Sequence, residues 1–287
     1  MKLEFKKDAL LNGINIVSKA IPSRTTMSIL ECILIDADAG EIKLTGNDME
    51  LGIETKVEGS ILERGKIALE AKLFYEIIRK LPDGDTPVTI TSDNRFNTVI
   101  ECENAVFNIQ GRDGEEFSYL PYIERDQHIS LTQFTLKEAI RQTIFSISPN
   151  DSNKMMAGEL LEVKDDFLKV VSLDGHRISI RNIQLKEHYD NHKVIVPGKT
   201  LSEISKILTG DNEKEVLIYF SKNHILFEFD DTIVVSRLIE GEYFRIDQML
   251  SSDYETKVTV NKKEFLDCID RASILIREND KKPIIIS

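Results

Sequence analysis

Asp174-Gly175-His176-Arg177 is the stretch of this chain that most invites a chemical reading. An Asp beside a His can orient a general base, and an Arg can hold an anion. On that reading Asp174 and His176 would be the site of a hydrolase or transferase. The motifs that accompany such sites are missing. The chain has no Gly-rich phosphate loop, no Gly-x-Ser-x-Gly elbow and no metal-binding Asp-Phe-Gly. His128, His188, His192 and His224 show no helical metal-ligand spacing. His188 and His192 are four apart, but Tyr189-Asp190-Asn191 between them has turn character. Cys32, Cys102 and Cys268 are odd in number, far apart and free of any Cys-x-x-Cys pair, which points to a reducing cytoplasm without disulfides. A structural or binding role for His176 is the better reading, with no cofactor and no metal.

The elements that hold this stretch belong to a repeat. Gly114 in Asp-Gly-Glu-Glu-Phe returns as Gly241 in Glu-Gly-Glu-Tyr-Phe, 127 positions on, and Phe117 returns as Phe244. Ile67, Leu69, Lys72 and Ile77 return at the same offset as Val194, Val196, Lys199 and Ile204. Lys7-Asp8-Ala9-Leu10 returns as Lys137-Glu138-Ala139-Ile140 and again as Lys263-Glu264-Phe265-Leu266. A period this long is a duplicated domain, not a solenoid unit. Polar junctions near Glu124–His128 and Ser251–Glu255 give domains at 1–125 and 128–251, with a partial third at 254–287. The third copy is cut short at Ser287, and a chain ending there is expected to form no stable closed ring.

Within the first copy, Met1–Phe5 alternates as a strand. Leu10, Leu11, Ile14, Val17, Ala20 and Ile21 then fall at helical spacing. The segments 29–37, 41–46 and 52–57 are strand-like. Leu69–Leu81 is predicted as an amphipathic helix with Leu73, Phe74, Ile77, Ile78 and Leu81 on one face, stopped by Pro82-Asp83-Gly84. Strands follow at 88–92, 98–102 and 105–110. In the third copy a strand is predicted over Lys257–Val260, then a helix, then a strand start at Ile284–Ile286. Two helices and many antiparallel strands per copy make an α+β architecture with helices along one side of the sheet.

Hydrophobic content of 41% and charged content of 30% are those of a globular protein, and no apolar run approaches membrane-spanning length. The net charge is −12. The five predicted helices (5–21, 66–81, 134–148, 197–209 and 261–277) carry +2, +2, +1, +1 and +1, so the remainder carries −19. An acidic body with basic helices suits a polyanion held against one face and repelled from the others. The plain alternative is that solvated helices simply carry more Lys, and a rival function is an acidic scaffold that binds only proteins.

Four stretches, in order and at these spacings, carry a family resemblance. They are Leu44-Thr45-Gly46-Asn47-Asp48-Met49-Glu50, Ser172-Leu173-Asp174-Gly175-His176-Arg177-Ile178, Val194-Ile195-Val196-Pro197 and Arg271-Ala272-Ser273-Ile274-Leu275. The chain resembles, over essentially its whole length, the bacterial sliding clamps, the beta subunits of the replicative DNA polymerase III holoenzyme. The resemblance implies repeated clamp domains, with helices on an inner face and antiparallel sheets outside. It implies a head-to-tail homodimer that closes into a ring around duplex DNA and has no catalytic activity. Its partners would be double-stranded DNA, the polymerase catalytic subunit, the clamp loader and other proteins that carry a clamp-binding peptide.

By position, the resemblance places DNA contacts at Arg24, Lys72, Asn150, Lys154, Met155 and Lys199. It places a partner-peptide cleft at Met156, Leu173, Gly175, His176, Arg177, Ile178, Phe244 and Met249. Leu173 stands where the family often has Thr, and Phe244 where some members have Pro. It places the subunit interface at Phe107 and Ile109, on an edge strand, against Ile274 and Leu275. Phosphate contacts need charge and reach but little geometry, which suits a sliding protein that reads no sequence.

Overall fold

A computed structural model describes residues 1–148, 153–250 and 255–274. Alternation decides the first element. In β1 (Lys2–Phe5) Leu3 and Phe5 are fully covered while Lys2 and Glu4 are not. In α1 (Lys7–Val17) Leu10, Ile14 and Val17 recur at three and four residues and are buried. The helix is shorter than the predicted 5–21. Phe5 belongs to the strand, and the last turn tightens over Ser18–Ala20, where Ser18 Oγ donates to Ile14 O at 2.6 Å.

The first repeat continues with β2 (Cys32–Asp36), β3 (Lys43–Asn47), β4 (Leu51–Lys56), β5 (Gly59–Glu63) and β6 (Lys66–Glu70). After α2 (Ala71–Lys80) come β7 (Val88–Ser92), β8 (Asn97–Cys102), β9 (Ala105–Gln110) and β10 (Arg112–Asp113). The second repeat has β11 (His128–Thr132), α3 (Gln133–Thr143), β12 (Gly158–Leu173), β13 (Ile178–Pro197) and α4 (Gly198–Ile207). It closes with β14 (Glu215–Phe220), β15 (His224–Phe229) and β16 (Thr232–Arg237).

All pairings are antiparallel, as in the α+β class. β12 and β13 look unlike the first repeat until their register is followed. Residues 158–163 pair with 192–197, and 167–173 pair with 178–184, with an interruption at Asp165, whose φ is +55°. The first run reproduces β2 against β6, and the second reproduces β3 against β4. The recurring residues occupy equivalent places. Lys72 and Lys199 are each second in their helix, and Ile77 and Ile204 each seventh.

One nine-stranded sheet takes strands from both repeats, while β12 and β13 pair only with each other. Its order is β10-β6-β2-β3-β4-β16-β15-β14-β11, and the seam is β4 against β16. Ile53 faces Val234 and Thr55 faces Thr232, whose buried hydroxyls lie 2.8 Å apart. A second sheet runs β5-β1-β7-β8-β9. One apolar core takes Ile14, Phe74, Ile140 and Ile204 from the four helices, together with Ile33, Ile53, Ile100, Phe227 and Val234 from the strands. Met1–Tyr243 is accordingly one compact unit and Phe244–Ser287 a second. The polar stretch near 124–128 ends a connector that crosses the other sheet face. Ile123 packs with Tyr219, Leu226 and Val235. Leu120 covers Gly52, where a Cβ would stand 2.0 Å from Leu120 Cδ2.

Three sequence expectations change. Residues 66–70 form β6 rather than the start of a helix, because Ile67, Ala68 and Leu69 are all buried in mid-sheet and Glu70 caps α2. The Glu70 carboxylate accepts from Lys72 N and Leu73 N, both at 3.2 Å. Leu73 therefore falls off the stripe of Ala71, Phe74, Ile77 and Ile78 and is 44% exposed. Strand β5 was not anticipated at all. Residues 257–260 form no strand and lie exposed. In the second unit, α5 (Ile246–Met249) is a single turn, and α6 (Lys262–Ser273) is capped by Asn261 Oδ1, which accepts from Lys263 N at 2.9 Å. The predicted start at 284–286 lies outside the described residues. Among the described residues no helix is long and apolar enough to cross a membrane.

Candidate functional site

The Asp174–Arg177 stretch is the turn that joins β12 to β13. Gly175 supplies φ +85°, a left-handed conformation that costs glycine nothing. Asp174 is consumed by the turn. Its Oδ1 accepts from His176 N (3.0 Å) and Arg177 N (3.1 Å), and its Oδ2 accepts from Arg177 Nε (2.8 Å). The His176 N–H, then the Arg177 side chain and backbone, hold the carboxyl below the usual aspartate range against a smaller opposing effect of burial. The carboxylate thus holds backbone and guanidinium, not the imidazole, which weakens the hydrolase or transferase reading. His176 and Arg177 are exposed, and the Arg177 guanidinium lies 5.5 Å from the centre of the Phe145 ring.

Ile178 follows this turn half-buried at the start of β13, and Met156 is half-buried in a 3-10 turn over Lys154–Ala157. Leu173 is different. At 1% exposure it belongs to the interior and offers almost no surface to a partner. Phe244 and Met249 lie in the second unit, Phe244 half-buried and Met249 52% exposed in α5.

The basic positions divide into two kinds. Arg24, Lys72 and Lys154 are exposed. Lys199 is exposed too, but its ammonium is bonded to Asp48 Oδ2, and Asp48 also accepts from Glu50 N and Leu51 N in the β3–β4 turn. That ion pair ties the first turn of α4 to the first repeat. Other helix cations are also engaged: Lys137 donates to Leu208 O (2.7 Å), Arg141 pairs with Glu138 (2.6 Å) and Lys206 with Glu203 (2.7 Å). Met155 is half-buried. Asn150 and Leu275 lie outside the described residues.

On the five-stranded sheet β9 is an edge strand, as the sequence implied. It leaves Val106 53% and Phe107 37% exposed and Ile109 half-buried. Ile274, in the second unit, is 78% exposed. Sequence reasoning missed Asp48 as the partner of Lys199, although Asp48 lies inside a landmark stretch. It also missed Glu159, a fully buried acid whose only signal is a charge within Ala-Gly-Glu-Leu-Leu. No group of three or more His, Cys, Asp or Glu among the described residues could hold a metal ion.

Duplicated α+β units joined at one strand seam, with the acid of the Asp174–Arg177 turn spent on its own turn, define a clamp-type scaffold. Comparison with known proteins places it. The N-terminal domain of the DNA polymerase III beta subunit matches residues 1–121, and its central domain matches residues 130–244. Beta sliding clamps of Staphylococcus epidermidis and Staphylococcus aureus are each 36% identical over the whole chain, which spans 78% of their length. A DNA polymerase III beta subunit structure from Eubacterium rectale superposes with TM-score 0.95 at 66% identity, covering 99% of this chain and 77% of that one. The Bacillus subtilis sliding clamp superposes with TM-score 0.93 at 35% identity, covering 97% and 75%. The chain belongs to the DNA polymerase III beta subunit family, the sliding clamps, which are non-catalytic processivity factors of DNA replication.

Proposed function

We propose that the residues of this clamp divide its work as follows. Arg24, Lys72, Asn150, Lys154, Met155 and Lys199 face duplex DNA, and the charged ones hold it through phosphate contacts without reading bases. Met156, Gly175, His176, Arg177 and Ile178 form the rim of a peptide-docking cleft, with Leu173 beneath it. The polymerase catalytic subunit, the clamp loader and other proteins with a clamp-binding peptide share that cleft. Phe107 and Ile109 meet Ile274 and Leu275 of a second copy in a head-to-tail homodimer. The domains run over 1–125 and 128–251, with part of a third over 254–287, and the protein works in the cytoplasm.

The observation that carries this reading is the exposed His176–Arg177 turn. Its acid is committed to shaping the turn and holds Arg177 Nε, which leaves the imidazole and the outer end of the guanidinium for a partner. A topological tether is tested directly. The protein is loaded on nicked circular plasmid with a clamp loader, and retention is followed before and after the plasmid is cut. Release on linearisation is expected, with loading that falls as salt rises. Equal retention on linear and circular DNA would overturn the tether.

A further inference from the structure

Glu159 is the one acidic residue among the buried polar side chains of the described residues, at 0% exposure. It stands at the start of β12, opposite Val196. Its Oε1 has no hydrogen-bond partner, and its Oε2 lies 2.9 Å from Thr143 Oγ1. That hydroxyl is also 2.8 Å from Ala139 O and 3.4 Å from Ile140 O, one turn back in α3. A threonine hydroxyl has a single hydrogen. If Glu159 were a carboxylate, that hydrogen would be the one donor given to it, and the charge would be buried with Oε1 unanswered. A neutral acid buries no charge, and the hydroxyl that sits on Ala139 O can accept from it. Its own O–H donates to Thr143 Oγ1, and Thr143 donates to Ala139 O.

Among the described residues no cation answers a charge here. On α3, Arg141 pairs with Glu138, and both groups face solvent. On α4, Lys199 is committed to Asp48, and Lys154 of the adjoining turn is exposed. β13 presents Val196 and Pro197. The other titratable neighbour is Tyr243, whose hydroxyl is raised by burial first and by Glu159 second, and which donates to Val171 O at 3.3 Å. Burial pushes the Glu159 carboxyl up to about 8, with Thr143 pulling slightly the other way.

Thr143 also joins distant parts of the corner. Its carbonyl accepts from Ser172 Oγ, next to Leu173 and the Asp174–Arg177 turn. Two residues before Glu159 ends the turn that carries Met156, whose carbonyl accepts from Ser148 N at 2.7 Å. We propose that this corner opens by a proton-linked step: closed, Glu159 is a neutral acid donating through Thr143, and on opening it meets water and releases that proton to solvent. The lock does not depend on what docks above it, so its failure and that of the docking reading are separable.

Amide hydrogen exchange of the 154–160 and 170–178 segments tests it across pH 5 to 9. A closed state that keeps a proton to about 8, opening to a glutamate of ordinary value 4.5, has a definite signature. After correction for intrinsic rates, the opening constant should rise about tenfold per pH unit from about 5 to about 8 and then level. Glu159→Gln should abolish the slope while keeping the hydrogen bond to Thr143. Glu159→Met, with no polar end to satisfy, serves if the amide disturbs folding. The infrared carbonyl band of a protonated acid should be present in the wild type at pH 6 and lost in Glu159→Gln. An unchanged slope in both Glu159 variants, or no such band in the wild type, would overturn the proposal.

Discussion

Ile53→Ala probes the seam that makes one unit of two repeats. Ile53 is 0% exposed, sits in β4 and faces Val234 of β16 across the join. The substitution removes three carbons, worth about 2.4 kcal/mol at about 0.8 kcal/mol per buried methylene. Partial collapse of the site leaves a cavity term of about 1 kcal/mol more, so the loss is about 3 kcal/mol. In a cooperative unit of this size each kcal/mol lowers the melting temperature by about 2–4 °C, which gives a drop of about 6–12 °C. The position makes the test more specific than the magnitude. Because β4 and β16 share their hydrogen bonds, amides on both sides of the seam should lose protection together, in α1 and β3 as well as in β14 and β15. Calorimetry should show one transition for the Met1–Tyr243 unit in both proteins. If the variant melts in two steps, with the first repeat opening while 128–243 stays protected, the seam does not couple the repeats and the reasoning fails.

Four further outcomes follow from the same geometry. Gly175→Val should cost about 1–2 kcal/mol in chemical denaturation, purely from the left-handed backbone, since nothing lies within 4 Å of the missing Cβ. The Asp174 carboxyl titrates below its ordinary 3.8, so its help to the turn is complete above that value and fades as pH falls through the lower, folded one. After correction for intrinsic rates, protection of the His176 and Arg177 amides should therefore fall in acid in the wild type and be low at all pH in Asp174→Ala. Lys72→Ala should reduce retention on circular DNA, and its salt dependence, more than Lys199→Ala, because Asp48 already answers the Lys199 charge. Phe107→Asp, at the exposed edge of β9, should halve the solution mass of any dimer while leaving the thermal transition nearly in place, because the side chain carries little of the core.

How far the sequence foresaw the fold depends on the reach of each interaction. The repeat was legible because each copy must bury the same kind of core. Ile77 and Ile204 recur in the sequence since they recur at the same turn of α2 and α4. The helix predicted from residue 66 erred for a local reason. Ile67, Leu69 and Leu73 satisfy a helical stripe as well as a strand, and only the cap at Glu70 decides where one ends and the other begins. Strand β5 carried too few apolar residues to announce itself: of Gly59–Glu63, only Ile61 is even half-buried.

The site was legible in part, for a different physical reason. The turn at Asp174–Arg177 is closed by bonds among neighbours in the chain, so its residues could be named from the string alone. Lys199 and Asp48 are 151 positions apart, and nothing in either neighbourhood reports the other. Glu159 is the harder case. A charge between Gly158 and Leu160 looks like the exposed half of an alternating strand, yet it is as deeply buried as Leu161. Here the backbone face, not the residue type, decided burial, and the acid adapts by giving up its charge. The seam shows the same logic at larger scale. β4 and β16 each read as ordinary edge-compatible strands, and only their meeting removes both edges at once. A clamp assembled by such edge pairing needs each repeat to keep a strand free to be completed by a neighbour. β9, still an edge on the five-stranded sheet with Phe107 facing out, has the geometry that such a further pairing would use.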